Sequence, residues 1–531
     1  MRRLEEASER GDETARAVLN LRLERDISFG TAGLRATMNP GFSCMNGLAT
    51  YVKQKGGHKV VVGYDHRHNS LQFFQVTVAT LKKAGLSVLG FSESVATPMV
   101  PFSVQNEGAA CGIMITASHN PANDNGYKVY ASNACQNYSL WDIDPAGDFE
   151  DIYARALGHF VQSIGNLLSP LKDSIHITHV PSIVYTPIHG VGMKFAKAAI
   201  EALNLPPLLE VPSQKDPDPN FSTVKFPNPE EGPETLDEAF QFATATNSKL
   251  IFANDPDADR FSCCEFVNEW KIFNGNEIAA LFAHYVWQNR SIIAPDATEF
   301  AMLGSVVSSH LISTMGTKEG FLTQETLTGF KYLANASQKL ETERPGLKVL
   351  LAFEEAIGFM INSAVWDKDG ISAMCLMYLM VLDVYSHNKT LTATLAEIYD
   401  IYGYFSQYNS YYFCDPVRVS SIFAALRTKL HERVPGSTEN LTGACQISLD
   451  SEHSIMSIND YPGSNMVTLC FGHGWVTLRA SGTEPKIKFY SEMHSKSAEK
   501  VETDEKLKEL VNNLCRWLLD PEMNKLILQG E

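Results

Sequence analysis

The chain has 531 residues, too many for one hydrophobic core, and its 44% hydrophobic and 20% charged residues exclude a largely disordered protein and point to three or four globular domains. Its 44 Lys and Arg against 61 Asp and Glu give a formal charge of -17, which excludes nucleic acid as a generic partner and requires a locally basic pocket for any phosphorylated ligand. The ten cysteines lack Cys-x-x-Cys spacing and several stand in apolar runs, so reduced thiols in a cytosolic protein are expected.

The chain opens on charged, helix-forming residues without an apolar segment, so one or two N-terminal helices and no signal peptide are expected. At Phe29-Gly30-Thr31-Ala32-Gly33-Leu34-Arg35 two glycines flank small polar residues before an arginine: a tight turn, or a place where backbone amides approach an anion. The run around Val60-Val61-Val62 predicts a buried strand ending at Asp65-His66-Arg67; residues 71–84 then read as a helix closed by Gly85, and residues 87–91 as a further strand. This alternation predicts α/β structure with a parallel or mixed sheet. Another apolar run, Gly112-Ile113-Met114-Ile115, ends abruptly in Thr116-Ala117-Ser118-His119-Asn120-Pro121 and continues to Gly126-Tyr127-Lys128.

Residues 131–173 are poorly patterned and predict a loop-rich boundary region. From Ile183 the order of strand, Gly-rich loop and helix repeats, opening a second α/β unit. Residues 214–231 form a proline-rich excursion that cannot be regular structure. Two more strands, 249–253 and 348–353, deliver the loops Asn254-Asp255-Pro256-Asp257-Ala258-Asp259-Arg260 and Glu354-Glu355-Ala356-Ile357-Gly358. The longest apolar-rich run, near 374–384, is too short to span a bilayer. Beyond Tyr404, aromatic-rich alternating segments and a terminal helix near 498–518 predict a smaller α+β domain.

Four of these features carry chemistry. Ser118 offers a hydroxyl beside an imidazole, with His119 and Lys128 as the local bases, although the same residues are ordinary turn formers. Asp255, Asp257 and Asp259 alternate, so in an extended stretch their carboxylates fall on one side and suit a hard divalent cation. A calcium-binding helix-loop-helix is excluded, since Arg260 and Phe266 stand where that loop needs Gly and Glu. A hydrolase nucleophile elbow is excluded by Thr116 and Asn120 in place of glycines. Arg479-Ala480-Ser481-Gly482-Thr483-Glu484-Pro485-Lys486 joins a permanent cation, two hydroxyls and a glycine, with Lys488 on the same strand face as Lys486; it reads as a phosphate clamp or as a hairpin with surface charges. Glu354 and Glu355 read either as acceptors for sugar hydroxyls or as acids at a helix N-terminus. A nucleophilic serine, an acidic cation site and a separate clamp together point to phosphoryl transfer.

These motifs, in this order, resemble those of the α-D-phosphohexomutase superfamily. The narrower segments at 29–35, at Gln214-Lys215-Asp216-Pro217-Asp218-Pro219 and at Glu325-Thr326-Leu327-Thr328-Gly329-Phe330-Lys331 are similar to its phosphoglucomutase-2 type. The resemblance implies three α/β domains with mixed sheets plus a C-terminal α+β domain around a central cleft, bounded at 1–175, 176–292, 293–405 and 406–531. It makes Ser118 the phosphoserine, and Ser118 with Asp255, Asp257 and Asp259 the ligands of one Mg²⁺. His119, Lys128 and Arg260 become catalytic, and Arg35, Glu354, Lys368, Arg479, Ser481, Gly482, Thr483 and Lys488 substrate-binding. The implied activity interconverts sugar 1-phosphates with ribose 5-phosphate, deoxyribose 5-phosphate or glucose 6-phosphate through a bisphosphate, with a sugar bisphosphate as activator.

Expected partners are small phosphorylated sugars, with neither nucleic acid nor membrane, and the chain is expected to be a monomer. The rival readings are a glucose 1,6-bisphosphate synthase and an inactive sugar-phosphate-binding paralogue. The second is motivated by two departures in the first domain: a long helix expected after Met45-Asn46 and a strand expected after Tyr130 are both missing, which would strip neighbours from the strand that carries Ser118. Ala356, where many members have Ser, favours the pentose-accepting type over the synthase.

Overall fold

The structure, a computed structural model, describes residues 34–37, 58–83, 85–135, 149–230, 233–433, 441–448, 454–461, 463, 465–481, 485–495 and 500–529. The expected N-terminal helices, the glycines of the 29–33 segment, the departure after Met45-Asn46, and Gly482 and Thr483 lie outside the described residues. The chain divides into two compact units, Met1–Ser308 with Gly316–Leu395, and Ser309–Met315 with Ala396–Glu531.

Three mixed sheets build the first unit. The first contains β1 (Leu34–Thr37), β2 (Lys59–Tyr64), β3 (Ser87–Gly90), β4 (Cys111–Ile115), β5 (Asp124–Ala131) and β6 (Glu150–Asp151), in the spatial order β1-β5-β4-β2-β3-β6. Strands β2, β3, β4 and β6 run parallel, whereas β5 is antiparallel to β4 and to β1. Val60, Val61 and Val62 are fully buried, each contributing roughly 1.5–3 kcal/mol of transfer free energy. Helix Ser70–Lys83, expected over 71–84, covers β2 and β3.

Helix Met99–Asn106 presses on β2 and β4 at two glycines. A Cβ on Gly63 would stand 2.6 Å from Val100 Cγ2, and one on Gly112 would stand 2.5 Å from Val104 Cγ2. Strand β4, which delivers Ser118, is hydrogen-bonded on both sides, to β2 and to β5. The expectation that the departures strip this strand of its neighbours is therefore corrected.

A second correction concerns residues 131–173, read as poorly patterned. Residues 153–174 form one helix, Tyr153–Ser174, burying Ala156, Phe160, Ile164, Leu168 and Leu171 on one face. Gly158, Gly165 and Pro170 inside it are weak helix formers that mask the i, i+4 stripe.

The second sheet has β7 (Ile183–Thr186), β8 (Leu209–Glu210), β9 (Leu250–Asn254), β10 (Phe261–Phe266) and β11 (Trp270–Phe273), in the order β11-β10-β9-β7-β8. The third has β12 (Glu299–Ser305), β13 (Leu322–Thr326), β14 (Leu347–Glu354) and β15 (Gly358–Ile361), in the order β13-β12-β14-β15. Helix Gly370–Ser386 buries Gly370 through Leu382 without a polar face, packing on helices Tyr153–Ser174 and Gly192–Ala202 and on β15. Among the described residues no single helix is long and apolar enough to cross a membrane; Gly370–Ser386 passes such a test only when joined to Leu391–Tyr402 across an 89° bend.

The second unit is an antiparallel sheet of β16 (Tyr404–Gln407), β17 (Ser410–Phe413), β18 (Gly443–Ser448), β19 (Ser454–Tyr461), β20 (Met466–Phe471), β21 (Gly474–Ala480), β22 (Lys486–Ser495) and β23 (Ile527–Leu528). Helices Val419–His431 and Lys500–Leu519 cover one face, sharing a core with Leu469, Val476, Ile487 and Phe489.

Candidate active site

Ser118 sits three residues past the end of β4 with φ 54, in the left-handed region that non-glycine residues seldom occupy. Its amide donates to Thr116 Oγ1 at 2.8 Å, and its hydroxyl donates to Asp255 Oδ2 at 2.9 Å, which ties the first sheet's loop to the second's. His119 Nδ1 lies 3.3 Å from the same hydroxyl. Of the two bases the sequence offers, the imidazole is therefore the one beside Ser118. Lys128, on β5, instead places its ammonium on Asp257 Oδ2 at 2.6 Å and on Asp259 Oδ2.

The three aspartates converge, but through a turn, which corrects the extended stretch expected from their alternation. Ala258 has φ 55 and its amide returns to the Asp255 carbonyl at 2.9 Å. Two glycines let neighbouring chain close on this turn. A Cβ on Gly190 would stand 2.4 Å from Pro256 Cα, and one on Gly370 would stand 2.3 Å from the Arg260 carbonyl oxygen. Thr97, at the entry to helix Met99–Asn106, donates its hydroxyl to Asp257 Oδ2 at 2.5 Å and its amide to the Asp257 carbonyl at 2.8 Å.

All three carboxylates are fully buried, with one oxygen from each lying within 4.8 Å of the others. Burial and the neighbouring Asp257 and Asp259 push the Asp255 carboxyl up to about 8. Burial also opposes ionisation of Asp257, but the Lys128 ammonium overrides it and holds that carboxyl far below its ordinary range. Asp257 Oδ1 and Asp259 Oδ1 are buried without a hydrogen-bond partner. Two unsatisfied oxygens beside a carboxyl that resists ionisation fit a hard divalent cation.

Arg260 donates its amide to Asp255 Oδ1 at 3.0 Å, and its guanidinium pairs with Glu230 at 2.6 Å while Nε stands 3.9 Å from Asp255 Oδ2. Although burial lowers its affinity for the proton, Glu230 and the aspartates raise it further, so the guanidinium stays charged. Lys368 extends the cluster, with Nζ 3.4 Å from Asp259 Oδ2. Lys128, Arg260 and Lys368 thus each set a positive charge beside the buried aspartates.

No helix follows Glu354 and Glu355, which rules out the helix-N-terminus reading. A tight turn with Ile357 at φ 48 returns the chain as β15, antiparallel to β14. Glu354 accepts from the Gly329 amide at 2.6 Å, and burial raises its carboxyl pKa. Glu355 accepts from the Ser305 and Ser308 hydroxyls at 3.1 and 3.2 Å. Gly275 allows helix Gly275–Gln288 to abut this turn, since a Cβ there would lie 2.0 Å from the Glu355 carbonyl oxygen. Arg35 lies on β1 opposite Gly126, two residues from Lys128.

In the second unit, Arg479 on β21 pairs across the sheet with Lys488 on β22, and the Ser481 amide donates to the Lys486 carbonyl at 2.9 Å. The segment is a hairpin, as one reading held, but Arg479 and Lys486 are buried rather than surface charges. The Lys486 ammonium stands 3.9 Å from the Tyr411 ring centroid.

Sequence reasoning assigned no role to Arg67, Thr97 or Glu230. Their partners lie 30 to 160 positions away, so no local spacing signals them; for Arg67 the one hint is its place at the end of a buried strand.

Four models of the phosphoglucomutase/phosphomannomutase family match the chain: alpha/beta/alpha domain I at residues 26–139, domain II at 159–266, domain III at 274–402 and the C-terminal domain at 454–509. The chain is 36% identical to the phosphopentomutase of Homo sapiens, covering 94% of this chain and 90% of that protein. It is 35% identical to the glucose 1,6-bisphosphate synthase of Homo sapiens, covering 94% and 89%. In fold it is similar to a crystal structure of a phosphomannomutase from Thermus thermophilus, with a TM-score of 0.67, 20% identity and coverage of 93% and 99%. The chain therefore belongs to the phosphoglucomutase/phosphomannomutase family.

Proposed function

We propose that this protein is a phosphomutase that interconverts sugar 1-phosphates with ribose 5-phosphate, deoxyribose 5-phosphate or glucose 6-phosphate through a phosphorylated Ser118 and a bound bisphosphate. The observation that carries the reading is the Ser118 hydroxyl on Asp255, inside a buried triad whose two unsatisfied oxygens suit a cation. Asp255, Asp257, Asp259 and a phosphoryl oxygen on Ser118 would hold Mg²⁺, which supplies neutralisation of charge on the group in transfer.

The chain's own residues do the rest. Ser118 carries the phosphoryl group to the free hydroxyl of a sugar monophosphate and receives the other phosphate back. His119, 3.3 Å from the serine oxygen, is placed to move the proton. Lys128 pairs with Asp257 and Asp259 and keeps Asp257 ionised, and Arg260 orients the transferring phosphate. Glu354 and Lys368 take sugar hydroxyls, while Arg479, Ser481, Gly482, Thr483 and Lys488 grip the non-reacting phosphate, with Arg35 a further phosphate cation.

The four domains are bounded at 1–175, 176–292, 293–405 and 406–531, and the protein acts as a cytosolic monomer activated by a sugar bisphosphate. None of the nine described cysteines is in a disulfide, which supports a reducing setting.

Glucose 1,6-bisphosphate synthesis is the second reading, favoured by a relative of that name at nearly the same identity as the phosphopentomutase. Ala356 favours the mutase. To decide, intact mass is measured for a phosphoryl adduct, then ribose 1-phosphate and glucose 1-phosphate are supplied with Mg²⁺ and a bisphosphate primer. Turnover is expected, with the adduct absent and kcat at least about 10⁴-fold lower in Ser118→Ala. Folded wild type that turns over neither sugar sinks the mutase; faster bisphosphate formation from an acyl-phosphate donor selects the synthase.

A further inference from the structure

The Asp65-His66-Arg67 end of β2 takes no part in the chemistry above, yet Arg67 is buried against the Ser118 loop. Its two terminal nitrogens donate to four backbone carbonyls of that loop. Nη1 reaches Pro121 at 3.0 Å and Asp124 at 3.3 Å, and Nη2 reaches Asn120 at 2.6 Å and also Ser118 itself. Nε faces Asp65 Oδ2 at 3.4 Å. Asp65 fixes the arginine in turn, accepting from its amide at 3.0 Å and from the Ser70 hydroxyl at 2.6 Å. Phe221, from the proline-rich excursion, covers the guanidinium with its ring centroid 4.9 Å away.

An arginine whose terminal donors are committed to four carbonyls fixes where those carbonyls stand. That matters here because Ser118 is left-handed, a conformation that persists only where the surroundings over-determine it. The Thr116 hydroxyl holds the Ser118 amide and Arg67 holds its carbonyl, so the residue is gripped on both sides while its hydroxyl points at Asp255. A lysine offers a point charge on a flexible stem and cannot reproduce the planar fork.

We propose that Arg67 is a positioning residue for phosphoryl transfer: by gathering the carbonyls of Ser118, Asn120, Pro121 and Asp124 on one fork, it holds the Ser118 hydroxyl over the acidic triad without touching substrate. The proposal rests on the phosphomutase reading, since it concerns how Ser118 is presented for that chemistry. A purely structural arginine would lower activity only as it lowers the folded fraction.

The test uses the full chain with Mg²⁺ and compares wild type, Arg67→Lys, Arg67→Met and Asp65→Asn. Three quantities are read: thermal unfolding, the rate of phosphoryl uptake by Ser118 from glucose 1,6-bisphosphate by intact mass, and kcat and KM for ribose 1-phosphate and glucose 1-phosphate. Displacing a reacting group by about 1 Å costs on the order of 100-fold, so Arg67→Lys should lose about 100-fold in kcat with KM within about threefold. Phosphoryl uptake should slow by the same factor, with Arg67→Met slower still. Wild-type kcat in folded Arg67→Lys, or a loss no greater than the loss of folded protein, overturns the proposal.

If neither Arg67 variant folds, the isosteric Asp65→Asn decides, because it loosens the fork without emptying it. About a tenfold drop in kcat at unchanged KM supports the proposal, and wild-type kcat overturns it. Wild type that takes up no phosphoryl group and turns over neither sugar overturns the mutase reading itself, a result seen before any variant is compared.

Discussion

The Ser118 region of the first unit and the Arg479 hairpin of the second both gather charged side chains, but they keep them in different surroundings. Ser118, Lys128 and the three aspartates are at most 1% exposed, and each carboxylate is shared with an ammonium, a hydroxyl or an amide. Arg479 retains 8% exposure, and Ser481 and Lys488 are half-buried. Groups fixed in a dry, low-dielectric site act strongly on charge that develops during reaction and need no reorganisation at that moment. Partly hydrated groups such as Ser481 and Lys488 hold an anion less strongly and release it more readily, which would suit the proposed subsite for the non-reacting phosphate. Under the proposed function, the first region would serve the chemical step and the second binding.

The largest expected effect tests the buried side. Lys128→Met leaves Asp257 without its ammonium and Asp259 with Lys368 alone, and breaking a buried ion pair costs about 3–5 kcal/mol. Because Asp257 Oδ1 and Asp259 Oδ1 remain available, saturating Mg²⁺ should restore much of that loss, whereas a chelator should expose it in full. Urea unfolding of wild type and variant, with Mg²⁺ and with chelator, measures both. Equal destabilisation in the two conditions would mean that the carboxylates and the ammonium do not share one charge-balanced site.

Much of this contrast is legible in the sequence, and what is not has a physical cause. Ser118, the Asp255 loop, Glu354 and the Arg479 hairpin are read correctly as strand-end loops, because buried strands and turn residues are local signals. The partners of those residues are not local. Arg67 meets Ser118 across 51 positions and Thr97 meets Asp257 across 160, so only the sheet order brings them together. Helix Tyr153–Ser174 is lost to the sequence because its glycines and Pro170 break the propensity while its buried stripe alone sustains it. Lys128 is read as a base from its nearness in sequence to Ser118, but β5 runs antiparallel to β4 and delivers its ammonium to the triad.

A somewhat smaller effect concerns pH. His66, beside Arg67 in the chain and edge-on to Phe221 at 5.5 Å, is half-buried with both ring nitrogens shielded from solvent, and desolvation lowers its imidazole from 6.5 to about 4 despite the nearby Asp65. Above pH 6.5 the imidazole is neutral in both folded and unfolded chain, so it contributes no pH dependence. Between pH 6.5 and 4 the unfolded chain binds a proton that the folded chain refuses, so stability falls as pH falls, by up to about 3 kcal/mol. Urea unfolding across that window should show the loss in wild type and not in His66→Gln, with the two converging in slope above pH 7. A slope of the opposite sign would mean that the imidazole is protonated in the folded protein, and the site beneath Ser118 would be wetter than its burial implies.

The smallest effect bears on the second unit and decides whether the contrast holds. Arg479→Ala removes a charged donor that β21 presents opposite Lys488, and hydrogen bonds to charged groups contribute about 1.5–3 kcal/mol. If the hairpin serves binding, the loss should appear as roughly a 10- to 100-fold rise in KM for the sugar phosphate, with kcat within about threefold of wild type. Arg479→Lys should fall between, since one ammonium replaces a two-pronged contact. The signature to look for is the split, because a group that holds ground state and transition state equally changes KM alone. Were kcat to fall instead with KM unchanged, the hairpin would act on the reacting phosphate, and the division between a dry chemical region and a wetter binding region would fail.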